Sequence, residues 1–127
     1  MRSDVRKKLI RVARQGKTIT YGELMKKFRI PRGHPVPGIG IGHVVGTISE
    51  HEYSNKRPLL SAIVVRTGSG TAICPAGFPG GGFFGLRGIP KQLRKTGCQL
   101  TNSQLNAKEQ AYITSEQKKV WQYWRNH

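Results

Sequence analysis

Negative charge is scarce in this chain: 6 Asp and Glu stand against 22 Lys and Arg, a formal net charge of +16 over 127 residues. So few acids argue against two-metal phosphate chemistry, which needs paired carboxylates. Cysteine is nearly absent, with only Cys74 and Cys98. Two cysteines make no disulfide scaffold, and with His34, His43 and His51 they show no zinc-ligand spacing, so no metal is expected and a reducing cytoplasm is the expected compartment. Long apolar runs are missing too. The longest, Leu59–Val65, falls far short of the roughly 20 residues of a membrane span. The opening MRSDVRKKLI is basic without an apolar stretch behind it, which argues against secretion. Apolar residues make up 36%, below the usual share, and imply one domain with a modest core.

What the chain has is spread-out positive charge. Residues 1–57 carry a net +9 and residues 58–127 a net +7, so no basic tail has been added to a neutral body. A compact polycation repels itself unless an anion compensates, and nucleic acid is the commonest polyanion, because each phosphate neutralised releases condensed counterions. The partner expected is therefore nucleic acid, DNA ahead of RNA, and no membrane.

The pattern along the chain predicts an α+β fold. Ser3 can cap a first helix whose Val5, Leu9, Val12 and Ala13 recur at helical spacing, with Gly16 as its stop. Thr20-Tyr21-Gly22-Glu23 reads as a capping box opening a second helix, which Pro31 ends. PRGHPVPGIGIG over 31–42 excludes regular structure, and a third helix follows from about Gly42 to Tyr53. Leu59–Arg66 reads as a strand, 67–70 as a turn and Thr71–Cys74 as its return. Three helices and a hairpin is the order of a winged helix-turn-helix over residues 1–74. Residues 75–127 read as a Gly/Phe-rich loop and a C-terminal helical extension on the same domain. In it Pro90–Thr96 can form a short helix, and Tyr112, Ile113, Val120, Trp121 and Trp124 an apolar face. Those aromatics, beside cations, could stack bases, but at helical spacing they read first as core.

Within residues 17–66, Thr20-Tyr21-Gly22-Glu23-Leu24, His43-Val44-Val45-Gly46 and Leu60-Ser61-Ala62-Ile63-Val64-Val65 resemble the winged-helix half of the alkylguanine-DNA alkyltransferases and their alkyltransferase-like relatives. The resemblance implies that Tyr21 presses on the DNA backbone and that His43 takes the place of an arginine entering the minor groove. It also places Ser61 and Ala62 where the family's reactive cysteine and its activating histidine stand. A serine with no neighbouring base is a poor nucleophile at neutral pH, so alkyl transfer is not expected. The centre, Lys56–Val65 and Gly77–Phe84, also resembles small microbial proteins of unassigned function.

Two functional expectations follow. The first is sequence-tolerant binding, with the third helix in a groove and phosphates met by Tyr21, Lys26, Lys27, Arg29, Arg32, His43, Lys56, Arg57 and Arg66. Amides of the Gly38–Gly42 run, where it opens the third helix, could also hold a phosphate. The alternative is a small, toxin-like, metal-independent nuclease, in which His51 or His43 with Glu50 or Glu52 supplies acid and base and Arg57 meets the phosphorane charge. Successive helix positions 50, 51 and 52 point in different directions, which weighs against it. Gly80–Gly85 fits G-x-G-x-x-G but lacks a βαβ setting and a later acid, so no cofactor is expected.

Overall fold

A computed structural model describes residues 1–36, 38–67, 77–95 and 105–127. Among them lie four α-helices, α1 (Ser3–Arg14), α2 (Tyr21–Phe28), α3 (Ile41–Ser54) and α4 (Ala107–Arg125), and two short strands, β1 (Ile19–Thr20) and β2 (Val64–Val65). The strands pair in parallel, Ile19 opposite Val64 and Thr20 opposite Val65. The architecture is thus α+β, and no helix among the described residues is long and apolar enough to cross a membrane.

Each helix end has a local cause. Arg2, not Ser3, is the N-cap of α1, and no side chain caps it. Asp4 instead takes the N–H of Val5 at 2.9 Å and is bridged by Arg2. Past the other end, Gly16 takes φ +66°, the left-handed turn that glycine adopts without strain. Thr20 does cap α2, accepting from Glu23 N–H at 3.1 Å. The other half of the expected box differs: the Thr20 hydroxyl donates to the Glu23 carboxylate, because Thr20 belongs to β1. Helix α2 stops at Arg29 in the left-handed region (φ 54°), two residues before Pro31. A complete capping box opens α4, where Asn106 and Glu109 each accept the other's backbone N–H at 2.9 Å. Asn106→Ala should cost about 1 kcal/mol, read as a lower midpoint with unchanged slope in urea unfolding.

The apolar run after Pro58 differs most from its sequence reading. Leu60–Ile63 is a 3-10 turn, and only Val64 and Val65 are extended. A continuous apolar run is compatible with either form. Here the turn puts Leu60, Ala62 and Ile63 in full burial beneath α1, α3 and α4, where each such Leu or Ile contributes about 1.5–3 kcal/mol. The proposed return strand 71–74 and the 67–70 turn beyond Thr67 lie outside the described residues. The chain does come back beside β2: Arg66 N–H donates to Phe78 O at 3.0 Å and Gly77 N–H to Arg66 O at 3.2 Å.

One core unites both halves of the sequence. Leu9, Leu24, Ile48, Leu60 and Ile63 share it with Phe83, Phe84, Ile113, Val120 and Trp124. The Gly/Phe loop therefore folds inward, and the α4 aromatics pack as core, Trp124 buried and Tyr112 and Trp121 half-buried. Residues 91–93 form one 3-10 turn in place of the short helix.

Candidate nucleic-acid interface

The start of α2, the loop after it and the end of β2 meet at one cleft. It measures about 340 Å³ and is lined by Tyr21, Gly22, Arg32, Arg66 and Thr67. Tyr21 is fixed there because Gly80 N–H donates to its hydroxyl at 3.0 Å. Gly80 also lies under Arg66: a Cβ on it would stand 3.5 Å from Arg66 Nε and 3.6 Å from Tyr21 Oη. Burial raises the Tyr21 pKa above its ordinary value, against the smaller opposing effects of the Gly80 N–H and the Arg66 charge. At neutral pH the hydroxyl keeps its proton, in a cleft that Arg66 and Arg32 also line.

A second hollow, about 270 Å³, opens at the first turn of α3 between Met1, Arg2, Gly38, His43, Val44 and Thr47. His43 is exposed, its ring 3.7 Å from where a Cβ on Gly38 would be. Helix α3 opens at Gly40 with no side-chain cap, and the N–H of Ile41 is taken by Pro31 O at 2.9 Å. The start of α3, from His43 to Thr47, borders this hollow, as a groove-entering helix would need. Leu86 packs on Gly46. Arg87 binds the Glu50 carboxylate, donates to Ser54 at 3.1 Å and lies over the Tyr53 ring. The segment 86–88 thus crosses the outer face that the sequence reading assigned to a groove.

The other nominated cations divide. Lys26, Lys27 and Arg29 are exposed at the end of α2. Arg57 is not on the cleft; it joins Arg6 in clasping Glu52, whose side chain is fully buried. Lys56 faces α4 instead, in another cleft with Lys119 and Tyr123.

The nuclease constellation is not brought together. Glu50 goes to Arg87 and Glu52 to Arg6 and Arg57, while His51 is half-exposed and His43 lies about two turns away along α3. Among the described residues, no three His, Cys, Asp or Glu side chains gather as metal ligands would. Ser61, at the position of the resembled family's nucleophile, is buried and accepts from the Ser49 hydroxyl at 2.6 Å.

All six carboxylates are engaged inside the fold: Asp4 with Arg2, Glu23 with Thr20, Glu50 with Arg87, Glu52 with Arg6 and Arg57, Glu109 with Lys95 and Glu116 with Lys119. Three residues of the site escaped the sequence reading. Gly80 and Thr67 carried no signal beyond a glycine-rich and a turn-like context, and Arg87 sits in a loop whose partner is far away in sequence. No protein-family model, curated protein or solved structure matches the chain.

Proposed function

We propose that the chain is a nucleic-acid-binding protein of winged-helix type, with DNA the preferred partner, that grips phosphates without reading sequence. The observation that carries this is the single cleft at the start of α2 that Arg32, Arg66 and the proton-bearing Tyr21 line together. Planar guanidinium groups pair with phosphate oxygens in charge-assisted, often bidentate bonds, and such backbone contacts fix register without sequence information. Helix α3 contains no Lys, Arg, Asn or Gln, the side chains that discriminate base edges best, which supports tolerance of sequence. The element order and the return of the chain beside β2 support the winged-helix arrangement. Cytoplasmic residence belongs to the same reading.

The test is a fluorescence anisotropy titration of a labelled duplex across salt. With several phosphates engaged, affinity should fall by orders of magnitude between about 50 and 200 mM salt, with a log–log slope near −0.9 per phosphate. The duplex should be recovered intact from EDTA buffer. A flat salt response dismisses the reading, and cleavage of the strand restores the nuclease.

A further inference from the structure

We propose that the loop between α2 and α3 carries an apolar wedge, Val36 and Ile39, which enters the base stack of a DNA duplex held by the neighbouring cleft. This rests on the nucleic-acid reading above and adds to it a distortion of the bound duplex.

Large apolar side chains at the surface are few among the described residues: Met1, Val36, Ile39 and Tyr53, of which Val36 is 51% and Ile39 42% exposed. Tyr53 is covered on one side by Arg87. Val36 and Ile39 stand together in one short loop, so they are more than the single surface apolar residues that any protein shows. The loop is also built to hold its shape. Ile41 N–H closes it on Pro31 O at 2.9 Å. Just above that closure a Cβ on Gly40 would lie 3.3 Å from both Arg32 O and Gly33 Cα, so the two arms come together backbone to backbone, closer than a side chain at 40 sits without a small shift. Val36 N–H donates to His34 Nδ1 at 3.0 Å, and Pro35 fixes its own φ. With its two ends held together, the loop presents the exposed Val36 at little further ordering cost.

The surroundings name the partner. From Leu24 to Ser49 there is no carboxylate, while Lys26, Lys27, Arg29 and Arg32 fall within that span. Arg32 on one arm lines the phosphate cleft, and Gly38 on the other lies against His43. An apolar tip on a cation-rich segment complements a polyanion that has an apolar interior, and stacked bases are that interior. Branched apolar side chains and proline act in this way in other DNA-bending proteins, where they unstack one step and kink the duplex.

The probe is a duplex carrying 2-aminopurine at a central TA step, with donor and acceptor dyes at its ends. Binding of the intact protein should raise 2-aminopurine emission and shorten the end-to-end distance. Val36→Ser with Ile39→Ser should abolish both signals. The double variant should keep the salt slope, since no charge is removed, and the circular dichroism, since both residues are exposed. Binding by the intact protein without either signal overturns the wedge and leaves phosphate binding standing. The wedge is equally overturned if the serine variant gives undiminished signals, as it would were the loop a protein-docking surface. Salt-independent or absent binding of the intact protein is a different result; it removes the nucleic-acid reading, and the wedge with it.

Discussion

Replacing Arg32 and Arg66 together by glutamine should reduce the salt slope of duplex binding by about 2, since each phosphate contact contributes roughly 0.9. Affinity in about 0.1 M salt should fall roughly a hundredfold, taking about 1.5 kcal/mol for each charged hydrogen bond lost and a factor of ten per 1.4 kcal/mol. Arg32 is exposed, so Arg32→Gln alone should lower affinity with little loss of thermal stability. The comparison that gives the result meaning is Lys91→Gln with Arg94→Gln, two exposed cations that do not line the cleft. If the cleft is the contact, that pair should cost far less. Equal losses from both pairs would mean diffuse attraction to a polycation, with no built site.

Glu52→Ala should be the most damaging to stability of the six carboxylate substitutions. The carboxylate is fully buried, whereas Arg6 and Arg57 are each about one-fifth exposed (21% and 20%). Removing one partner of a buried ion pair costs about 3–5 kcal/mol, because the remaining charge is left uncompensated. Partial hydration of the two arginines places the expected loss near the lower end, about 3 kcal/mol. That corresponds to a fall in Tm on the order of 10 °C for a domain of this size, measurable by calorimetry. Glu50→Ala, which releases the solvent-exposed Arg87, should leave Tm nearly unchanged. A Glu52 variant as stable as the parent would show that the clasp of α1 and α3 by these arginines contributes nothing net.

The contrast between Glu50 and Glu52 also marks how far the sequence could be read. Periodicity located α1, because Val5, Leu9, Val12 and Ala13 repeat at a spacing that a helix buries on one side, and it marked the stretch after Asn102 as helical through Ile113, Val120 and Trp124 while leaving open whether it held one helix or two. Thr20 and Gly16 announced their ends through side-chain and backbone chemistry confined to a few residues. The 3-10 turn at Leu60–Ile63 was not legible, since its form is set by the three helices that close over it. The site was half legible. Tyr21, Arg32 and Arg66 were nominated by charge and by a remote resemblance, and they do share a cleft. Arg57 and Lys56 were nominated on the same grounds and serve elsewhere, since chain position alone cannot say which cation Glu52 will claim. The covering of α3 by Arg87 depends on a pairing across 37 residues that no local pattern carries.

Helix α4 closes on α1 across nearly the whole chain: the Trp121 indole N–H donates to Lys17 O at 2.9 Å, and Arg6 stacks over Trp124. On the ribosome the first three helices therefore emerge with their apolar sides uncovered and wait until Trp124 has been added. At about 5–20 residues per second, the roughly 70 residues from Ser54 to Trp124 take several seconds. During that time a strongly cationic, unfinished polypeptide stands beside ribosomal RNA, so completion of its core should await helix α4, and its yield should depend on how quickly that helix is synthesised.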